Sequence, residues 1–162
     1  MEKLRIVFDC MIFLQAVLNR KSVAYRLFEY LEANSFTLFV SHEVLDEVID
    51  VLNRQPLRAK YLQITDEAVE KFLNRVLKKA ILIKKTPTKF KYSRDPKDEK
   101  YINLAVEARA HYIVSRDNDL LDLMTGFSAD AKEFRQKFRF LKIVEPIEFL
   151  RIVAEKDLPL KS

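Results

Sequence analysis

Acidic residues stand at points along the chain where folding could gather them into one site. Four of them, Asp95, Asp98, Asp117 and Asp119, flank a single stretch of sequence. Because like charges repel one another, a protein that holds several carboxylates together usually binds a cation between them. Oxygen ligands favour hard cations, which here means Mg²⁺ or Mn²⁺. The stretch from 95 to 119 therefore predicts half of an acidic metal site.

Two further acids could complete that site. Asp9 directly follows the apolar run 4–8, which we interpret as a buried strand. Ligands of open parallel sheets bind outside the carboxyl ends of the strands, so Asp9 is a candidate, although it could equally cap the following helix. Glu47 lies at the border of the apolar face of a helix predicted over 42–53, from which a carboxylate can reach inward.

Helix geometry separates the acids near position 95. Asp95 fits the N-cap position and Pro96 the first helical position, which explains Asp95 without any function. Asp98 shares a helix face with the apolar residues Ile102 and Ala105, so we expect it to point inward. A buried carboxylate without a partner is costly, and Asp98 therefore needs a cation or several hydrogen-bond donors.

The acids after the next strand have a possible orienting partner. Asp117 and Asp119 come directly after a strand predicted over 112–115, and Ser115 is the last residue of that strand. The Ser115 hydroxyl could hydrogen-bond a neighbouring carboxylate. A metal ion held by such acids can activate water and stabilise the charge that builds on a phosphate, which favours phosphodiester hydrolysis over a structural site.

Strands and helices alternate along the chain, a pattern typical of a parallel sheet between helices. We predict an α/β fold with three layers, α/β/α, and a central parallel sheet. It forms one domain over 1–155, with a loose tail at 156–162. The strands are predicted at 4–8, 36–40, 80–83, 112–115 and 141–144. Helices are predicted at 22–33, 42–53 and 66–79, from 95 onward, at 120–124 ending at Gly126, and at 146–154. A polar turn is predicted at 54–61, and a mobile surface loop or short helix at 128–140.

Composition excludes several classes of protein. The single cysteine and two histidines argue against an internal disulfide and against zinc chemistry. The single glycine excludes Walker and dinucleotide-binding loops. No apolar run approaches the ~18 residues of a membrane span and no signal-peptide layout is present, so we expect a cytoplasmic protein with no membrane partner. The net charge of +5 permits a polyanionic partner without requiring one.

One segment adds a weak nucleic-acid signal. Between positions 84 and 92, Phe90 and Tyr92 stand among lysines. Basic residues interleaved with aromatic ones suit a single-stranded nucleic acid, with charges on phosphates and rings on bases. A solvated connecting loop accounts for the same residues.

Taken in order, the motifs resemble the PIN domain family, named from the PilT N-terminus, and especially its VapC-like toxin branch. The resemblance covers roughly residues 4 to 150. It rests on Ile6-Val-Phe-Asp9, Val40-Ser-His-Glu-Val-Leu-Asp-Glu47, Arg94-Asp-Pro-Lys-Asp98, Tyr112-Ile-Val-Ser-Arg-Asp-Asn-Asp-Leu-Leu121 and Ile143-Val-Glu-Pro-Ile-Glu-Phe-Leu150. The resemblance implies a metal-dependent ribonuclease on a parallel sheet flanked by helices.

The resemblance also implies roles for residues and partners. The family's catalytic acids fall on Asp9, Glu47, Asp98 and Asp117. Metal ligation is assigned to Asp9, Asp98, Asp117 and the accessory acid Asp119, and Ser115 falls where the family has a hydroxyl near the metal. The implied cofactor is Mg²⁺ or Mn²⁺. The implied partners are RNA, a second copy in a homodimer, and a cognate antitoxin protein.

The chain departs from the family pattern after the first strand. The family usually reads Asp-Thr-Asn there, whereas this chain reads Asp9-Cys10-Met11. Losing an amide that helps to hold the acids could weaken metal binding by about 10–100-fold. Two hypotheses follow: a metal-dependent endoribonuclease acting as the toxin of a type II toxin–antitoxin pair, or a catalytically degenerate PIN domain that binds RNA or protein. A transferase with an aspartyl nucleophile would need an acid at position 11 and is set aside.

Overall fold

A computed structural model describes residues 2–161 of the chain, and it describes side chains as far as residue 156. The backbone of the last helix extends over Pro146–Lys161. The loose tail predicted at 156–162 therefore lies almost entirely outside the residues whose side chains are described, and the prediction of a single domain over 1–155 stays a prediction.

Five parallel strands form the central sheet in the order β3-β2-β1-β4-β5. The strands are β1 (Leu4–Phe8), β2 (Phe36–Ser41), β3 (Ile81–Ile83), β4 (Tyr112–Val114) and β5 (Lys142–Val144). In β1, four of the five residues are buried, which is typical of a parallel strand covered by helices on both faces. The predicted three-layer α/β/α fold with a central parallel sheet is confirmed.

Helices connect the strands and cover the sheet. They are α1 (Cys10–Leu18), α2 (Val23–Glu32), α3 (His42–Leu52), α4 (Gln55–Lys60), α5 (Asp66–Lys79), α6 (Glu99–Glu107), α7 (Asn118–Thr125), α8 (Ala129–Lys137) and α9 (Pro146–Lys161). A 3₁₀ turn over Pro96–Asp98 leads into α6. The Ser22 and Ser41 hydroxyls cap α2 and α3 by accepting backbone N–H groups, and α7 ends at Gly126 as predicted.

The structure corrects the sequence predictions in three places. Helix α1 was not predicted as an element, because its nearly uninterrupted apolar residues hide the helical alternation of polar and apolar positions. The polar turn at 54–61 contains the short helix α4, in which a proline occupies the first turn, where it is tolerated. Of the two alternatives for 128–140, the structure has the short helix, α8 over Ala129–Lys137. Strand β3 was predicted to be buried, but it lies at the edge of the sheet and Ile81 is 48% exposed.

Two aromatic clusters stabilise different parts of the fold. The first surrounds Phe8 of β1 and includes Phe13, Phe28, Phe36 and Phe149. The second joins Phe90, which precedes the 3₁₀ turn, to Phe134 and Phe138 of α8 and its C-cap. Ring centroids in the second cluster are 5.7–6.1 Å apart, a range in which edge-to-face contacts are favourable. The loop before α6 is therefore packed firmly against α8.

Candidate metal centre

Asp9 lies at the carboxyl edge of the sheet, directly after β1. Its side chain is buried, and the Ser115 hydroxyl donates a hydrogen bond to one of its carboxylate oxygens. The other oxygen accepts the Met11 backbone N–H at 2.9 Å, so Asp9 also caps α1. Both interpretations of Asp9 from the sequence therefore hold together: it is a helix cap and it faces the site edge.

Four acids converge next to Asp9. Asp95, Asp98, Asp117 and Asp119 each offer a carboxylate oxygen, and these four oxygens all lie within 4.8 Å of one another. Asp95 caps the 3₁₀ turn by accepting the Lys97 backbone N–H at 3.2 Å, as its position before Pro96 predicted. It also belongs to the acidic group, which its capping role alone did not indicate. We call these four residues the acidic group.

Asp98 is the most perturbed member of the acidic group. It is 6% exposed, and its Oδ2 atom is buried without a hydrogen-bond partner among the described residues. Burial raises the pKa of Asp98 to about 8, with further contributions from the negative charges of Asp117, Asp95 and Asp9. A buried carboxylate oxygen without a donor, surrounded by other carboxylates, is the environment that a bound cation would satisfy. The residues present therefore fit a hard divalent ion.

Asp9 is electrostatically linked to the acidic group although it is not one of its four members. Burial raises the pKa of Asp9 to about 6, the hydrogen bonds from Ser115 and the Met11 N–H oppose this rise, and the charge of Asp117 adds to it. The Asp117 backbone N–H donates to the same Ser115 hydroxyl at 2.9 Å. Ser115 thus bridges Asp9 and Asp117, which agrees with the orienting role expected for it.

Asp117 and Asp119 differ in their surroundings. The Asp117 carboxylate caps α7 by accepting the Asp119 N–H at 2.8 Å. The Asp119 carboxylate lies 2.7 Å from Nε of Arg94, whose guanidinium also contacts Asp122 at 2.9 Å. Because Arg94 already balances part of its charge, Asp119 is suited to an accessory role.

Glu47 lies outside the acidic group. The Tyr101 hydroxyl donates to its Oε1 atom, and Lys100 Nζ lies 2.9 Å from its Oε2 atom. Burial would raise the pKa of Glu47, but the hydrogen bonds from Tyr101 and Lys100 outweigh that effect and hold the pKa below its ordinary value. Glu47 is therefore an ionised carboxylate with fixed partners.

Sequence reasoning missed Arg94, Lys100 and Tyr101. Lys100 and Tyr101 follow Asp98 by two and three positions, so the first turn of α6 carries them close to the same edge. The spacing of apolar residues does not reveal the hydroxyl of Tyr101, because a tyrosine counts as an apolar position in that spacing. Arg94 directly precedes Asp95, and only the fold shows that it turns back to α7.

Phe90 and Tyr92 do not form a surface for stacking bases. Both rings are buried, which removes the weak nucleic-acid signal of this segment. The Asn103 side chain accepts the backbone N–H groups of Lys89 and Phe90 at 2.8 and 3.1 Å, and the Tyr92 hydroxyl donates to the Asp119 carbonyl at 2.8 Å. These contacts fix the loop that leads to Asp95.

Met11 contributes only its backbone to the site. Its side chain is 43% exposed, while its N–H group donates to Asp9. The residue at the position where the family usually has an amide is therefore partly exposed to solvent.

Comparison with known proteins agrees with this geometry. A family model described as PIN domain matches residues 5–119, and the chain belongs to this family. The PIN domain family is part of a superfamily of nucleases, so the fold and the acidic group define a protein of nuclease type. The family-level resemblance seen in the motifs is thus confirmed.

A curated relative extends the similarity over most of the chain. The uncharacterized protein MJ1680 of Methanocaldococcus jannaschii is 26% identical over 148 residues, which cover 91% of this chain and 90% of that protein. No solved structure was found to match. Among the described residues, no helix has both the length and the apolar character needed to cross a membrane.

Proposed function

We propose that the protein is a Mg²⁺- or Mn²⁺-dependent endoribonuclease that hydrolyses phosphodiester bonds in RNA. The observation that carries the proposal is the buried Oδ2 of Asp98, which has no partner among the described residues and lies within the acidic group. Membership of the PIN domain family supports a nuclease acting on RNA.

The acids have distinct roles in this proposal. Asp98 and Asp117 would hold the ion, together with Asp9, which Ser115 orients, and the accessory acid Asp119. A divalent ion bound there supplies Lewis acidity, which activates water and offsets the negative charge that develops on the phosphate. Glu47 stays ionised through its contacts with Lys100 and Tyr101, so its negative charge can orient water beside the phosphate.

The cleavage test compares RNA hydrolysis in Mn²⁺ with hydrolysis in EDTA. We expect Asp98→Asn to abolish cleavage while leaving the circular dichroism spectrum unchanged. Asp46→Asn is a matched control, because Asp46 is an exposed acid on α3, one residue before Glu47. Equal cleavage by Asp98→Asn and the wild type in Mn²⁺ would overturn the proposal.

We also propose that the nuclease is the toxin of a type II toxin–antitoxin pair, works as a homodimer and binds a cognate antitoxin. The order of motifs shared with the VapC-like branch supports this assignment. Expression of the chain alone should arrest growth, and co-expression with a small protein encoded next to it should relieve the arrest. Arrest by Asp98→Asn at equal expression would contradict a nuclease toxin.

The alternative is a catalytically degenerate PIN domain that binds RNA or protein. Met11, at the position of the usual amide, is the observation that favours it. Calorimetric titration with Mn²⁺ separates the two candidates. Tight binding that Asp9→Asn abolishes would count against the degenerate form, whereas absence of binding by the wild type would favour it.

A further inference from the structure

A groove opens at the carboxyl edge of the sheet and is lined by Arg116, the sequence neighbour of Asp117, although none of the four residues of the acidic group lines it. Its volume is about 800 Å³, and Lys21, Tyr61, Arg116 and Glu145 are among the residues that line it. Arg116 directly precedes Asp117, and Glu145 directly follows β5. The groove therefore reaches the carboxyl ends of β4 and β5.

A second groove shares the lining residue Leu18 with the first. It has a volume of about 840 Å³ and runs between α1 and α5, with Arg20, Lys71 and Lys78 in its lining. Leu18 at the end of α1 lines both grooves. We call the two together the α1 groove, since both follow the C-terminal part of this helix.

Three cations of the α1 groove have no acidic partner among the residues whose side chains are described, whereas Arg75 in the same lining pairs with Glu32 at 2.7 Å. Arg20, Lys21 and Arg116 are exposed, and none of them takes part in an ion pair within the part of the chain whose side chains are described. In contrast, Lys71 in the same lining pairs with Glu67 at 3.5 Å. Cations without ion pairs along a groove that includes Arg116, the neighbour of Asp117, suit a chain of phosphates.

An aromatic ring lies in the same groove. Tyr61 is half-buried at the end of α4, and Lys60 Nζ lies 5.4 Å from the centroid of its ring. A ring in a basic groove can stack on a base, provided that the base is not already paired and stacked in a duplex. This combination favours a single strand over a double helix.

We propose that the α1 groove is the path of single-stranded RNA to the acidic group, with Arg116, Lys21 and Arg20 contacting successive parts of the phosphate backbone and Tyr61 contacting a base. The inference deepens the proposed function, since the acidic group would act on the phosphate at the end of this path. Lys84 and Lys85 directly follow β3, at the opposite edge of the sheet from β5, and take no part in it.

Binding of RNA can be measured without cleavage, so the test does not depend on nuclease activity. The probe is a fluorescein-labelled, unstructured single-stranded 12-mer RNA, with its duplex as competitor, and the readout is anisotropy in EDTA over a series of salt concentrations. We expect Arg20→Gln/Lys21→Gln to weaken binding by about tenfold at low salt. The slope of log K against log salt should fall by ~1.4, because each phosphate contact of a single strand contributes ~0.7.

Lys84→Gln/Lys85→Gln is the matched control, since it removes the same charge from exposed lysines at the other edge. It should leave the affinity and the salt slope unchanged. Tyr61→Leu should weaken binding without changing the slope. Thermal melting confirms that each variant is folded.

Three results would overturn the inference: no binding of the RNA by the wild type, equal losses in the two double variants, or tighter binding of the duplex. Groove-dependent binding without cleavage in Mn²⁺ would instead leave the inference standing and refute the proposed nuclease. RNA cleavage by the wild type, with equal losses of RNA affinity in the two double variants, would support the proposed nuclease and refute the α1 groove as the RNA path.

Discussion

The Tyr101 hydroxyl connects Glu47 to the start of α1: it donates a hydrogen bond to the Glu47 carboxylate and accepts the Cys10 backbone N–H at 3.1 Å. Tyr101 is buried, and burial raises the pKa of its hydroxyl, which therefore keeps its proton. Because α1 begins directly after Asp9, the orientation of Glu47 is coupled to the position of Asp9. We interpret Tyr101 as a positioning residue.

Tyr101→Phe should lower the rate of RNA cleavage through its effect on Glu47. Only the hydroxyl is lost, so we expect kcat to decrease by about tenfold with little change in KM. This is the smallest loss of activity expected when a hydrogen-bond partner that orients a site residue is removed. In a Glu47→Gln background the same substitution should have almost no further effect. Tyr112→Phe, at a half-buried tyrosine of β4, is the control. Equal losses in both backgrounds would mean that Tyr101 acts on stability alone.

Asp98→Asn should stabilise the metal-free protein at alkaline pH. The pKa of Asp98 is about 8 in the folded protein and its ordinary value is 3.8. Between these values the unfolded chain has released a proton that the folded protein retains, so metal-free stability falls as pH rises from about 4 to about 8. The uncharged amide avoids this loss.

At pH 8, urea denaturation in EDTA should show Asp98→Asn to be more stable than the wild type by at least about 1 kcal/mol, since one pKa unit corresponds to about 1.4 kcal/mol. The difference should shrink towards pH 4. Adding Mn²⁺ should stabilise the wild type and not the variant. A variant less stable than the wild type at pH 8 would contradict the assignment of Asp98 as an uncompensated buried acid.

Met11→Asn should change Mn²⁺ affinity by less than about tenfold, the smallest effect expected for a partner that orients a ligand. The reason is that Met11 holds Asp9 through its backbone N–H, which every residue except proline supplies, and no hydrogen bond involves its side chain among the described residues. Calorimetry on the two proteins measures the difference, with Asp9→Asn as the variant that should lose binding. A larger gain in the asparagine variant would show that the missing amide limits the site.

The sequence contained enough information to orient some of the acids. The spacing of Asp98 to Ile102 and Ala105 predicted an inward-facing carboxylate, and its burial confirms that direction. The strand ends before Asp9 and Asp117 predicted their common edge, because parallel pairing places β1 beside β4. The first prediction depended on the helical spacing of apolar residues. The second depended on the fact that the carboxyl ends of parallel strands lie at the same edge of a sheet.

Other parts of the site depend on contacts between distant segments. The capping position of Asp95 explained this residue without any function, and the sequence therefore offered no separate reason to place its carboxylate in the acidic group. Lysines interleaved with aromatic residues do not show whether a ring is buried or exposed, and the ring of Phe90 is buried in the core. The Tyr101–Glu47 contact joins residues 54 positions apart, which no local pattern encodes.

The packing of Phe90 against α8 has a consequence for ion selectivity. Together with Asn103, it fixes the loop that carries Asp95 before any ion arrives, so apolar contacts far from the acids oppose their mutual repulsion. Acidic residues held in place by such packing suit a small ion with a fixed octahedral shell better than a larger ion that needs many adaptable ligands. We therefore expect the acids to favour Mg²⁺ or Mn²⁺ over Ca²⁺ by rigidity, in addition to their chemistry.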